Sequence, residues 1–195
     1  FVDAGKGPGQ DDIRVGLVYR ASKVTALGKP AVLEGGPFGD RSRVPLAQAF
    51  QRGNGPAFVV VANHLKSKGC SEAEGADRDQ GDGQGCWNPL RVDSAKRLDA
   101  WLKNDPTGHG SALKLMVGDF NMHTSTELAY ANLTVAGAGQ LQDVAGAPGD
   151  WFNNPAFKHL HSQDPGASMD DRFDIHFASG EFFDDLGLDY VDGSF

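Results

Sequence analysis

The residues with the clearest capacity for chemistry are Asp119 and Asn121, in the run Gly118-Asp119-Phe120-Asn121. They stand two apart, so both side chains can face one side of a strand exit. A carboxylate suits a hard cation such as Mg²⁺ and can accept a proton from water. A carboxamide can hold a phosphate oxygen or orient a water without adding charge. The plainer reading of the same run is a turn whose Asp and Asn satisfy backbone N–H groups. A second cluster is Asn63-His64, with Lys66 and Lys68 just beyond. An imidazole there can act as general acid for a leaving oxygen, or it can simply be a hydrogen-bonded strand-end histidine. The two lysines add positive charge, and Lys68 reads as part of a solvated loop. Arg20 offers a fork of donors for a phosphate. Asp174, in Arg172-Phe173-Asp174, can orient a histidine, bind metal or pair with Arg172. His176, two residues on, reads as structural.

These side chains need strands and loops to hold them. Ile13–Tyr19 alternates apolar and polar residues and predicts a half-buried strand ending at Arg20. Val24–Leu27 and Val44–Phe50 are weaker strand candidates around a turn-rich stretch at 34–40. Phe58–Ala62 is continuous and β-branched, hence a buried strand; Leu113–Val117 is another. Asn88 as N-cap and Pro89 at the first helical position predict a helix to about Lys103, with Leu90, Ala95, Leu98, Trp101 and Leu102 inward. Thr124 to Glu127 has the form of a capping box opening a short helix to about Leu133. Residues 146–169 read as irregular, Arg172–Ala178 as a strand, and Leu188–Val191 as a further strand. Strands and helices in this order predict an α/β protein. In such architectures the carboxyl ends of strands are where ligands bind, and both polar clusters sit there.

Composition bounds the possibilities. The chain has 195 residues, is 39% hydrophobic and 23% charged, and has 26 glycines and 10 prolines, which suits one domain with long, well-specified loops. No stretch approaches the roughly 18 apolar residues of a membrane-spanning helix. The net charge is −8. Nine acids and one base between Asp164 and Asp192 account for it, while residues 1–68 carry ten bases against five acids. A protein this acidic is a poor nucleic-acid binder by bulk charge. The basic first third keeps that option open, especially with a divalent cation.

Taken together, strand–Arg20, strand–Asn63-His64, helix, strand–Gly-Asp-Phe-Asn and strand–Arg-Phe-Asp resemble the endonuclease/exonuclease/phosphatase superfamily. The segments VANHLKSKGC, DQGDGQGCWNP, RVDSAK and VGDFN are most similar to secreted bacterial extracellular deoxyribonucleases. The resemblance spans about Asp12 to Tyr190. It implies part of a DNase I-like four-layer sandwich, two packed mixed β-sheets flanked by helices, and a Mg²⁺- or Mn²⁺-dependent phosphodiester hydrolase, most specifically a secreted, non-specific DNA endonuclease. By resemblance, His64, Asp119, Asn121 and Asp174 are catalytic; Arg20, Asn63 and Asn121 bind phosphate; and Asp119 holds metal together with residues outside this chain. The family's metal-ligating Glu, upstream of Arg20, and its terminal Ser-Asp-His are absent from this sequence. The chain thus reads as lacking both outer elements, which the rest of a longer parent would supply, and the activity is assigned to the intact protein. The alternatives are a catalytically incomplete binding or adhesion module, or the same fold acting on lipid or sugar phosphodiesters. A calcineurin-like phosphoesterase would need an early Asp-x-His and the opposite motif order. The tryptophans at 87, 101 and 151 form no base-stacking stripe.

Cys70 and Cys86 are the two cysteines. Zinc would need more Cys or His at short spacing. A disulfide closing the loop after His64 fits, and it implies a secreted or periplasmic protein; two free thiols in a cytosolic loop are the alternative. Between them Asp77, Asp79 and Asp82 have the spacing of a calcium loop. The position-12 Glu is replaced by Asn88, so Ca²⁺ stands beside a plain solvated acidic loop.

Overall fold

A computed structural model describes residues 1–5, 11–162 and 169–191. The acidic Asp164 and Asp192 lie outside the described residues. Six strands form one mixed sheet: β1 (Thr25–Val32), β2 (Leu46–Gln51), β3 (Ala57–His64), β4 (Lys114–Asp119), β5 (Leu141–Asp143) and β6 (Asp174–Ser179), in the order β1-β2-β3-β4-β6-β5. Only β3 and β4 pair in parallel. The crossover between them carries α1 (Asn88–Lys103), and α2 (Leu128–Leu133) packs beside it. Pro30 sits in β1, an edge strand, where a missing N–H and the register irregularity between Leu27 and Ala31 are tolerated.

One face of the sheet is the main core. Ala47, Ala49, Val59, Val61, Met116, Ile175 and Phe177 alternate along their strands to meet Ala95, Leu98 and Leu102 of α1 and Ala129 and Leu133 of α2. The opposite face has a smaller cover of Val2, Val15, Leu17 and Tyr19 over Leu46 and Phe50. Here the expectation for Ile13–Tyr19 is corrected. Its alternation is real, but it lays side chains onto the sheet rather than forming a ladder, and Leu17 O accepts the Val2 N–H at 2.8 Å. The described residues hold one six-stranded mixed sheet with its helices, in keeping with the expected α/β fold.

Smaller corrections follow from local geometry. The helix α1 starts one residue earlier than expected, because Trp87, in a left-handed conformation, takes the N-cap position. The capping box does not form. Glu127 is itself the N-cap of α2, and its Oε1 accepts the His123 N–H at 2.7 Å. Leu188–Val191 forms no strand; the Tyr190 N–H bonds Phe182 O. Arg172 pairs not with Asp174 but with Asp143, through two bonds of 2.6 and 2.7 Å at full burial, which fastens β5 to the chain entering β6.

Cys70 and Cys86 are joined in a disulfide. The far end of that loop is also gripped by buried cations: Arg91 donates to Gln84 O and Cys86 O, and Lys68 Nζ to Gln84 O. The loop-entropy relation gives a closure of this length about 3 kcal/mol. Replacing both cysteines by serine should therefore lower the urea-unfolding free energy by about that amount. A loss well under 1 kcal/mol would mean that Arg91 and Lys68 alone hold the loop.

Candidate active site

Strand register brings the site together. His64 ends β3 and is the parallel partner of Asp119, the last residue of β4; Asp119 is in turn the antiparallel partner of Asp174, the first residue of β6. Three chemically active side chains thus stand on neighbouring strands, on one face, at one end of the sheet. His64 Nε2 lies 3.4 Å from Asp119 Oδ2. A recess of about 390 Å³ opens there, lined by Arg43, His64, Ser67, Lys68, Asp119, Asn121 and Phe173. A larger hollow of about 560 Å³, with a mainly apolar lining, lies against Leu115, His176, Ala178, Asp189 and Tyr190.

The strand exits are locked by backbone bonds. The Leu65 N–H donates to Asp119 O at 2.9 Å and the Phe120 N–H to Phe173 O at 2.8 Å. Gly118 is required by close approach: its φ is +132°, and a Cβ there would sit 2.0 Å from Asn63 O. Asn121, at φ 51°, has a left-handed conformation that asparagine tolerates. Its N–H bonds Asp119 Oδ1 at 2.8 Å and its amide donates to Leu65 O at 3.0 Å. The turn reading and the functional reading of Gly-Asp-Phe-Asn therefore coexist: Asp119 uses one oxygen for the turn and turns the other to His64.

Burial sets the acidities. Asp119 is pushed up to about 6, first by burial, with Asp174 adding like-charge repulsion against the bond from Asn121 N–H. His64 is pulled down, chiefly by burial and then by the Arg43 charge. Burial thus works against the charged form of both members of the pair.

Other expected residues fall elsewhere. Arg20 is exposed in the turn leading into β1, at the end of the sheet where Thr25 pairs with Gln51, opposite to His64. Asn63 alternates to the other face, where it is buried and donates to Val117 O at 2.8 Å. Neither reaches the recess. Lys68 is not solvated: its side chain is 8% exposed, its Nζ bonds Glu127 Oε1 at 2.7 Å, and burial pulls its pKa down to about 8. His176 is off the recess, on the same face of β6 as Asp174. Sequence reading missed Arg43. Its N–H donates to His64 O at 3.1 Å and its Nε lies 3.2 Å from Asp11 Oδ2; the basic surplus of the first third was its sole trace in the sequence.

Among the described residues, no three His, Cys, Asp or Glu side chains converge to hold a metal. The calcium-loop expectation is corrected on the same ground: Asp79 and Asp82 turn an oxygen each to the N–H of Gly81 and Gln84 within the loop.

No protein-family model matches the chain, and no curated protein matches its sequence. Solved structures do match in fold. The human Nocturnin catalytic domain with bound sulfate aligns over 82% of this chain and 49% of its own, at 19% identity and TM-score 0.51. A mannosyl-6-phosphatase from Bacteroides thetaiotaomicron aligns over 83% and 55%, at 20% identity and TM-score 0.53. An endonuclease/exonuclease/phosphatase from Bacteroides vulgatus aligns over 83% and 57%, at 19% identity and TM-score 0.53. The chain shares the fold of these structures and spans about half their length.

Proposed function

We propose that the intact protein is a divalent-metal-dependent phosphodiester hydrolase, and that its substrate is DNA met outside the cell or in the periplasm. The observation that carries this reading is the meeting of His64, Asp119 and Asp174 at register-matched ends of three adjacent strands. Asp119 accepts a hydrogen bond from the attacking water and draws its proton. His64, in reach of the same centre, donates to the oxygen that leaves. Arg43 supplies fixed positive charge for the pentacoordinate transition state. Asn121 holds the turn that aims Asp119 and offers its second amide hydrogen to a phosphate oxygen.

The residues fit a hard cation. Two facing carboxylates, Asp119 and Asp174, repel each other, and Mg²⁺ is commonly held by one or two carboxylates together with substrate phosphates. Such an ion would polarise the phosphoryl oxygen. The disulfide supports a location outside the reducing cytosol. Among the described residues no helix is long and apolar enough to cross a membrane. Similarity to a protein solved with sulfate, a tetrahedral oxyanion, supports a phosphate-sized subsite.

The test is a cleavage assay on the intact protein. With Mg²⁺ it should nick supercoiled plasmid and hydrolyse bis(p-nitrophenyl) phosphate, and EDTA should abolish both. His64→Ala should lower both rates by about 10²-fold, the typical share of a general acid or base; near-normal rates in that variant would reject the assignment. The likeness to a mannosyl-6-phosphatase favours a second reading, a sugar phosphate as substrate. Release of phosphate from mannose 6-phosphate without DNA cleavage would select it.

A further inference from the structure

Beside the recess, residues 41–43 run alongside residues 64–66. The Arg43 N–H bonds His64 O at 3.1 Å, and the Lys66 N–H bonds Ser42 Oγ at 3.2 Å. This pairing sets Arg43, Lys66 and Arg41 in a cluster that leads away from His64. The last two share a platform. Arg41 Cζ lies 5.1 Å and Lys66 Nζ 5.5 Å from the centroid of the Trp87 ring, which is 5% exposed beneath them. The indole therefore serves as a support for cations rather than as a surface for bases to stack on.

Three cations stand against three carboxylates in this cluster, but the carboxylates pair with the arginines and not with Lys66. Arg43 has Asp11 and Arg41 has Glu72 and Asp40. Lys66 Nζ bonds only the Ser67 hydroxyl, with no carboxylate within ion-pairing distance among the described residues. Its pKa is held below the usual lysine value, first by burial and then by Arg43, Arg41 and Arg91, with Glu72 acting the other way. On a chain of net charge −8, a lysine with no ion-pair partner next to the catalytic recess is a site where an anion can be bound.

We propose that Arg41 and Lys66, seated on Trp87, form a subsite for a phosphate flanking the scissile one, so that the protein selects a polynucleotide over an isolated phosphate ester. This rests on the reading of the recess as a phosphodiester hydrolase site. The scissile phosphate sits at His64 and Asp119, and the chain of phosphates continues past Arg43 onto the platform. Glu72 occupies Arg41 in the absence of nucleic acid. Its side chain is 71% exposed, so an incoming phosphate displaces it into water at little cost. Glu72 is thus a competitor that weakens the subsite.

Binding separates this proposal from the hydrolytic reading. The intact protein is titrated with a fluorescein-labelled single-stranded oligonucleotide in EDTA, with salt varied. Arg41→Gln with Lys66→Gln should weaken binding about tenfold at low salt. The slope of log K against log salt should shrink by about one to two, close to one for each phosphate that the variant no longer neutralises. Glu72→Gln should tighten binding severalfold, a gain that misfolding cannot imitate. In turnover, the double variant should lose at least tenfold more on plasmid than on bis(p-nitrophenyl) phosphate. An unchanged salt slope, an unaltered affinity in Glu72→Gln, or equal losses on both substrates would overturn the subsite. A protein that binds the oligonucleotide with these dependences but cleaves no diester would instead refute the hydrolase reading and leave the platform as a nucleic-acid contact.

Discussion

Asp119→Asn should abolish hydrolysis and, at the same time, make the protein more stable. Asp119 accepts the Asn121 N–H through Oδ1, and an asparagine oxygen can do the same, so the turn survives the change. What is lost is a charge in a poor place. Burial and the neighbouring Asp174 carry the acid from 3.8 to about 6. A folded-state value raised above the unfolded one means that the native state binds the proton more tightly. The stability this proton confers is fully present below pH 3.8 and is lost as pH rises through about 6. At pH 7 the ionised group therefore costs the native state about 3 kcal/mol, at about 1.4 kcal/mol per pH unit. The asparagine does not ionise and escapes that cost. We expect a gain of about 2–3 kcal/mol at pH 7 by urea unfolding, shrinking toward zero by pH 4, alongside a fall in DNA hydrolysis of about 10³-fold. Mg²⁺ supplies a further readout. Saturating cation should raise the melting temperature of the parent sequence by mass action and raise that of the variant far less. Loss of stability at pH 7 would contradict the electrostatic picture. Retained hydrolysis would remove Asp119 from the chemistry.

That opposition between function and stability explains which parts of the site were legible in the sequence. Gly-Asp-Phe-Asn and Asn-His follow continuous apolar runs, and a strand that ends in polar residues must deliver them at a sheet edge. The period-two rule sends Asn63 and His64 to opposite faces; a reading that kept both at the phosphate overlooked that alternation. Arg20 failed for a different reason. Ile13–Tyr19 has the pattern of a strand, but pattern fixes only which side chains are buried, not whether the backbone has a partner or at which end of the sheet it finishes. Arg43 and the burial of Lys68 depend on partners 21 and 59 residues distant in sequence. No local pattern encodes such pairings, and a lysine between Ser67 and Gly69 looks solvated until Glu127 is folded against it. The disulfide loop was readable because two cysteines leave one pairing. The core of α1 was readable because its apolar spacing is helical, although its cap is set by the left-handed Trp87 rather than by a capping side chain.

Gly118→Ala should be the most damaging single change in the site, although it removes no functional group. Two costs combine. At φ +132° any Cβ strains the backbone. The added carbon would also lie 2.0 Å from Asn63 O, 3.0 Å from Asn63 C and 3.1 Å from Asn63 N, all backbone atoms of the paired strand. A flexible side chain could yield; a strand held between β2 and β4 cannot, so β3 and β4 must part at the Asn63–Gly118 pair. The next pair along is His64–Asp119. The same displacement that costs stability therefore lengthens the 3.4 Å approach on which the chemistry depends. Gly137 provides the control, because its φ of +137° is nearly the same while a Cβ there would meet nothing within 4 Å. Gly137→Ala isolates the backbone strain, about 1–2 kcal/mol for a disfavoured positive φ. Gly118→Ala should exceed it by at least about 2 kcal/mol, reaching the range reserved for overpacked interiors. Its folded fraction, measured at low temperature where enough remains, should still cleave DNA far more slowly than Gly137→Ala. Equal costs at the two glycines would mean that the strands yield freely at Asn63, and the tight register that brings His64 to Asp119 would then not be what holds the site.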